Sequence, residues 1–346
     1  MLLPPPPIIH LDKFSQQNNT ESSNEHEGYC FHIISDFISQ DSLHKLKLLE
    51  SNLNQRYPCQ IKTHIIDDSI FRPYKKWGFN GDKSYSAYYR LLIDEILPSE
   101  VTKALYLDTD MLVLCDIREL FALDLKGKIL AASNGFSSPF SCTLNFKARD
   151  SGKDLVTQTN QYFCSGLLLI DMEQWRKNDI LSKCISFLEN YITDFANQDA
   201  INVAITDSFI LPPHYGLYLY QYIIIKHNQE ETIKLQKIMK HIKIIHCNGP
   251  AKAWSSFFIR HSDAMQTFVA DRWWDMAQNT CGFEEEFKLR KLILDYSKES
   301  IIQNDEHIKT LEHNISKLEE QIWRLRHPYK YRYKKLCRIL KSRFVR

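Results

Sequence analysis

The sequence predicts an α/β fold, a sheet flanked by helices, with a C-terminal helical, coiled-coil-like extension. Three observations carry that reading. Strand and helix patterns alternate from residue 30 to about residue 114, as in a sheet built from right-handed crossovers. A carboxylate pair, Asp108 and Asp110, interrupts the apolar run ALYLDTDMLVL (104–114) where a strand ends. Beyond about residue 298 the apolar period changes to steps of three and four.

Residues 1–28 open with a proline block and continue through QQNNTESSNEHEG, a polar stretch predicted to lack regular structure. CFHIISD (30–36) reads as a buried strand. SQDSLHKLKLLESNLNQRY reads as a helix, with Leu43, Leu46, Leu49 and Leu53 at helical spacing and Ser39 or Asp41 as its cap. IKTHIID (61–67) is the second strand, SYSAYYRLLIDEIL (84–97) the second helix and KALYLDTDMLVL the third strand. KILAAS (128–133), FCSGLLLIDM (163–172) and HIKIIHCNG (241–249) are further strands, and EQWRKNDILSKCISFLENYI begins a helix after the second of these. The spacing predicts a parallel sheet, in which ligands bind beyond the carboxyl ends of strands. Asp108 and Asp110 fall at such an end.

Composition bounds the class. With 44% hydrophobic and 25% charged residues, the chain of 346 has the balance of a folded globular protein. No window supplies the ~18 consecutive apolar residues of a membrane span. MLLPPPPIIHLDKF lacks the basic start and long apolar core of a secretory signal, so the expected location is the cytoplasm. Nine scattered cysteines, never spaced as CxxC, read as reduced thiols. From Arg324 to Arg346 there are ten Lys/Arg and no Asp/Glu; without them the net charge of +2 becomes −8. That asymmetry predicts an anionic partner for the tail, a membrane surface or a nucleic acid.

Carboxylates beside apolar residues lose hydration worth several kcal/mol unless donors or a cation replace it. Asp108 and Asp110 therefore form either a capped turn or a cation site that bridges a nucleotide diphosphate. Two enzyme classes use such a pair, nucleotide-sugar transferases and one phosphatase superfamily. The phosphatase pattern prefers Thr or Val two residues after its second Asp, where this chain has Leu112. In HCNGPAKAW (246–254), His246 is a candidate metal ligand at a strand end, Gly249 lets backbone amides approach an anion, and Lys252 offers a cation to phosphate. In ANQDAIN (196–202), Gln198 and Asp199 open a predicted helix, which they could cap, or they could orient sugar hydroxyls.

KALYLDTDMLVLCDIRELFALDL, FCSGLLLIDMEQWRKNDI, NQDAIN and HCNGPAKAW, in this order over about residues 28–260, resemble glycosyltransferase family 8. The resemblance implies a GT-A nucleotide-diphospho-sugar transferase sheet and a retaining, metal-dependent hexosyltransferase. Its donor would be a UDP-hexose, glucose or galactose, and its acceptor a lipopolysaccharide core. It implies Mn2+ or Mg2+ held by Asp108, Asp110 and His246, donor contacts from Arg90, Gly249 and Lys252, and catalytic roles for Gln198 and Asp199. Retention is attributed in this family to a same-face displacement, which needs no second carboxylate pair.

Three departures from the family pattern stand out. Asn197 replaces an Asp before the Gln, Cys164-Ser165-Gly166 replaces Asn-Ala-Gly, and the family's first strand is missing upstream of CFHIISD. The expected domains are an irregular 1–28, a GT-A domain over 29–282, and a helical stem with a basic amphipathic tail over 283–346. Ile301, Ile308, Leu311, Ile315, Leu318, Ile322 and Leu325 form a heptad over 301–325 that predicts either a homodimer or a helix packed on its own domain. The basic, aromatic tail is expected to hold the enzyme peripherally on the inner face of the cytoplasmic membrane, with no nucleic acid bound. Two alternatives stay open: a catalytically weak or inactive paralogue that binds a glycan or a partner, and the phosphatase.

Overall fold

The computed structural model describes residues 7–15, 25–76, 84–134, 142–150, 152–159, 161–225, 233, 238–249, 252–255, 263–296, 310, 313–314 and 317. The strands are β1 (Pro7–Ser15), β2 (Glu25–Ser35), β3 (Cys59–Ile65), β4 (Lys103–Leu107), β5 (Met111–Val113), β6 (Leu130–Ala132), β7 (Cys142–Ala148), β8 (Leu155–Thr159), β9 (Leu167–Asp171), β10 (Tyr191–Ile192), β11 (Phe209–Ile210), β12 (Leu217–Tyr218) and β13 (Ile244–His246). The helices are α1 (Gln40–Leu53), α2 (Ile93–Ile96), α3 (Arg118–Phe121), α4 (Met172–Lys177), α5 (Ile180–Asn190), α6 (Ala196–Ala204), α7 (Leu219–Ile225) and α8 (Ala264–Gln278).

The main sheet has seven strands in the order β11-β6-β9-β4-β1-β2-β3. It is mixed, not the parallel sheet expected: β9 runs antiparallel to β4 and β6, and β1 runs antiparallel to β2 and β4. Residues 1–28 were expected to be irregular, yet Pro7–Ser15 is a strand paired over its whole length, from Pro7 opposite Ile33 to Ser15 opposite Glu25. It also meets β4 at Ile8–Tyr106 and Ile9–Leu105. β2 and β4 are parallel to each other, and the slot between them is therefore filled by a strand of opposite direction. Unpaired backbone groups at two facing strand edges provide the driving force. The polar residues downstream hide the strand from a composition-based reading, and Pro7, with no N–H to give, stands at its first position.

Period-two alternation along the buried strands covers both faces of this sheet. Ala104 and Tyr106 of β4, with Leu168 and Ile170 of β9, face one cluster that includes Tyr88, Ile180, Leu188 and Ile201. Leu105 and Leu107, with Leu167 and Leu169, face the other, closed by Leu120, Leu125 and Tyr215. A smaller sheet, β12-β13-β5, packs against α8 through Leu112, Leu217, Ile245, Met265 and Val269. β7, β8 and β10 form a third sheet with no counterpart among the expected elements.

Two expected helices are broken. The segment 84–97 is a 3-10 helix over Ser86–Leu92 that continues as α2. Five consecutive residues of the tighter winding, Tyr88 to Leu92, are buried, and Arg90 Nε donates back to Ala87 O at 3.1 Å. The helix after FCSGLLLIDM divides into α4 and α5 at Asp179, whose φ of 49° is left-handed. α1 forms as expected, and Ser39 caps it by accepting from Ser42 N at 3.1 Å.

The chain divides into two compact units, Met1–Lys288 and Leu289–Arg346. In the second, residues 289–296 are helical, with Lys291 paired to Asp295 one turn on. Apart from 310, 313, 314 and 317, the predicted heptad over 301–325 and the basic tail lie outside the described residues. No helix among the described residues is long and apolar enough to cross a membrane.

Deleting residues 7–15 is expected to reopen the slot beside β4 and lower the melting temperature by at least roughly 5 °C. Thermal unfolding followed by circular dichroism checks this; an unchanged midpoint contradicts the pairing.

Candidate active site

β4 stops at Leu107 because the chain leaves the main sheet there. Asp108 N donates to Gly166 O at 2.8 Å, and Met111 N turns back to Asp108 O at 3.2 Å. The chain then joins the smaller sheet as β5, where Met111 lies opposite His246. Cys247 N donates to Asp110 O at 2.8 Å. Backbone hydrogen bonds thus join three distant segments, 108–110, 166 and 246–247, before any side chain is considered.

The Asp108 carboxylate is held from one side. Its Oδ1 accepts from Tyr106 OH and from Arg90 Nη2, both at 2.8 Å, and the Arg90 guanidinium lies 4.3 Å over the Tyr106 ring. Arg90 is buried, with Nη1 donating to Ser165 O and to Ser165 Oγ, the latter at 3.1 Å. With Oδ1 tied down, Oδ2 stands 3.6 Å from His246 Nε2. Asp110 Oδ1 lies 3.0 Å from the same nitrogen, and Asp110 Oδ2 is paired with the Lys252 ammonium.

Burial alone would push the Asp110 carboxyl up, but the neighbouring His246 and Lys252 charges outweigh it and hold Asp110 well below the usual carboxylate range. Burial would likewise lower the His246 imidazole, and the Asp110 carboxylate reverses this, raising it to about 10.

The donor set fits a divalent cation. One ligand atom each from Asp108, Asp110 and His246 lies within 4.8 Å of the others, the spread expected of atoms sharing one ion. Asp110 Oδ1 is buried and, despite its closeness to His246 Nε2, accepts no aligned hydrogen bond. Gly166 keeps the cradle open: a Cβ there would stand 2.6 Å from His246 Cε1 and 2.7 Å from Asp108 Oδ2. A glycine inside the run FCSGLLLIDM, in a chain with ten glycines, is the sequence signal for that close approach.

α6 organises the neighbouring segment 162–165. Gln198 Oε1 accepts from Ser165 N at 3.1 Å, and Gln198 Nε2 donates to Tyr162 OH at 3.1 Å. Asn202 clamps Phe163 through both backbone groups at 2.9 Å. Asn197 is buried; with its amide oriented to satisfy both ends, it donates to Ala87 O at 2.9 Å and accepts from Arg90 Nε at 3.0 Å. Both oxygens of Asp199 are engaged: its Oδ2 accepts from Asp194 N and Phe195 N, and its Oδ1 accepts from Tyr162 OH at 2.5 Å. Burial raises the Asp199 pKa in spite of these donors.

The structure therefore joins Arg90, Asp108, Asp110, His246 and Lys252 directly, and Gln198 through Ser165 and Arg90. Gly249, in the left-handed region at φ 61°, packs on Tyr220 three residues beyond His246. Sequence reasoning did not single out Tyr106, Tyr162 or Tyr218, whose ring meets His246 edge-on at 5.6 Å. Tyr106 stands within a quoted motif and Tyr162 just ahead of one, but a hydroxyl's partner is set by tertiary contact.

The family model described as Glycosyl transferase family 8 matches residues 16–257. General stress protein A of Bacillus subtilis (strain 168) is 32% identical over 187 residues, 49% of this chain and 59% of that protein. Lipopolysaccharide 1,2-glucosyltransferase of Escherichia coli is 26% identical over 244 residues, 67% of this chain and 66% of that protein. The chain thus spans less than two thirds of the length of these curated relatives. The crystal structure of galactosyltransferase LgtC with donor and acceptor sugar analogues superposes with a TM-score of 0.52 at 20% identity, covering 75% of this chain and 88% of that one. The WbbM bifunctional glycosyltransferase in its apo form gives 0.53 at 18% identity, covering 73% and 44%. These two share the fold.

If the cluster takes up a divalent cation, Gly166→Ala is expected to weaken its binding, with Mn2+ as the probe, at least about tenfold, because the added methyl fills the cradle. Calorimetric titration of Mn2+ reads the loss, and circular dichroism verifies that the variant is folded.

Proposed function

The chain belongs to glycosyl transferase family 8, and on that premise we propose that it is a retaining, metal-dependent hexosyltransferase. It moves glucose or galactose from a UDP-hexose to a lipopolysaccharide core acceptor. The convergence of Asp108, Asp110 and His246 around the bare Cα of Gly166 carries the reading. A relative named lipopolysaccharide 1,2-glucosyltransferase supports the acceptor class. Family membership removes the phosphatase alternative.

Asp108, Asp110 and His246 would hold Mn2+ or Mg2+, which would supply positive charge to the donor diphosphate. Arg90 and Tyr106 orient Asp108 by holding Oδ1, so that Oδ2 turns inward. Arg90 thereby serves donor binding through Asp108. Lys252, paired with Asp110, is the chain's own cation for the diphosphate, and Gly249 lets the backbone approach it. Gln198 is assigned to the reacting sugar carbon; its amide is fixed at both ends yet has a further N–H and lone pair to offer. Asp199 contributes by fixing Tyr162 and the 194–195 backbone ahead of α6. The leaving diphosphate helps deprotonate the acceptor on the same face, so no second carboxylate pair is required.

The heptad over 301–325 as a homodimer stem, and the basic tail as a peripheral anchor on the inner face of the cytoplasmic membrane, belong to the same proposal. A second reading, a weak or inactive paralogue that binds a glycan or a partner, draws support from two features. The slot beside β4 holds an antiparallel strand, and Cys164 and Asn197 stand where the family pattern has Asn and Asp.

UDP titrated into the protein is expected to give heat with Mn2+ and at least about tenfold weaker binding in Asp110→Asn; absence of heat in the wild type sinks the transferase reading. A panel of UDP-sugars with truncated core acceptors, read by mass, identifies the sugar moved. Tyr162→Phe releases Gln198 Nε2 and is expected to lower kcat about tenfold while UDP affinity stays within about twofold, a split that identifies an effect on the reacting groups.

A further inference from the structure

We propose that α8, which lies beyond the matched family region, is the buttress that holds Lys252 at the carboxylate centre, with Trp274 and the Trp254–Trp273 stack as positioning residues. The inference rests on Lys252 being the diphosphate contact proposed above.

A lysine side chain loses rotamer freedom when its ammonium is confined to one place, so the backbone beneath it must be well fixed. Lys252–Ser255 has no strand or helix of its own to do this. Ser255 N and Ser255 Oγ both donate to Lys252 O at 2.9 Å and close a tight turn. Ala253 also hydrogen-bonds through its backbone to Cys247, and a further restraint comes from α8. Ala253 is buried, and its carbonyl accepts from Trp274 Nε1 at 3.2 Å. The Trp254 ring lies 4.6 Å from the Trp273 ring, which meets Trp274 edge-on at 4.9 Å and Phe287 edge-on at 5.8 Å.

α8 is itself fixed to the strands that carry the centre. Met265 and Val269 pack in one cluster with Leu112, Ile245 and Cys247, residues that flank Asp110 and His246. Asp263 caps the helix by accepting from Met265 N and Gln266 N at 3.0 Å, and Tyr222 OH donates to Asp263 Oδ2 at 3.0 Å. One rigid element thus contacts both the sheet holding His246 and the turn holding Lys252, and it sets the distance between them. Trp175 provides the contrast. It is fully buried, its Nε1 has no partner among the described residues, and it lies in a different cluster.

The test is UDP affinity of the full chain with Mn2+, by calorimetric titration, combined with a double-mutant cycle. Trp274→Phe keeps an aromatic ring and removes the N–H; it is expected to weaken UDP binding about 3- to 10-fold, and to cause no further loss in a Lys252→Ala background. Trp273→Phe, which disturbs the stack and leaves the hydrogen bond, must show the same coupling, and it decides the matter if Trp274→Phe does not fold. Trp175→Phe is expected to shift the melting temperature while UDP affinity stays within about twofold. Unchanged affinity in the α8 variants, or losses of equal size with and without Lys252, overturn the buttress and leave the role of Lys252 standing. Wild-type affinity in Lys252→Ala removes that role and the buttress with it.

Discussion

The ion pair between the buried Arg90 guanidinium and the half-buried Asp108 carboxylate is the constraint on which the rest of the site depends. A guanidinium removed from water is tolerated only with its charge and donors satisfied, and breaking such a pair from one side typically costs about 3–5 kcal/mol. All three nitrogens of Arg90 are engaged: Nη2 with Asp108, Nη1 with Ser165, and Nε with Ala87 O and the Asn197 oxygen. The 3-10 winding of Ser86–Leu92, the turn at Ser165 and the start of α6 are therefore set by one cation. The Asn197 departure gains a meaning from this geometry. An aspartate there would place a second carboxylate 3.0 Å from Arg90 Nε, whereas the amide satisfies the donor and leaves the charge to Asp108.

Asp108 and Asp110 act on opposite sides of a change of sheet. Asp108 is tied to Gly166, just ahead of β9 of the main sheet, and to Arg90; Asp110 is tied to Cys247, just after β13 of the smaller sheet, and to Lys252. A two-residue spacing lets one turn present an oxygen from each side, and β13 brings His246 to the same place. The centre is thus located where two layers meet, and its geometry depends on how firmly both are packed. The slot beside β4 belongs to the same logic: the strand that ends in Asp108 is central, so an unpaired neighbour would weaken the platform of the carboxylates.

Much of the site was legible in linear order. DTD at the end of an apolar run, HCNGPAKAW and ANQDAIN announced themselves because charged or amide groups next to buried strands need a partner, and that need can be read without knowing the partner. The sequence assigns Asp199 to chemistry, and the structure shows its carboxylate held by backbone donors. A carboxylate opening a helix looks the same whether it faces a substrate or backbone N–H groups, and here it accepts from Asp194 N and Phe195 N. Tyr106, Tyr162 and Gly166 were missed as participants for a related reason. Local sequence explains Tyr106 and Gly166 as strand residues and gives Tyr162 no role, and only the approach of Asp108, His246 and Gln198 reveals what they do.

By itself the sequence determined the alternation of strands and helices through the first hundred residues, the carboxylate pair at a strand end and the residues able to hold a cation, because periodicity and hydration cost are local properties. Strand direction was decided only by the tertiary structure. Pro7–Ser15 is short and bounded by a polar stretch, so nothing local says that it fills the slot beside β4, or that it runs antiparallel. Which face a side chain serves, and which donors surround it, follow from contacts between residues far apart in the chain, and those exist only once the layers have packed.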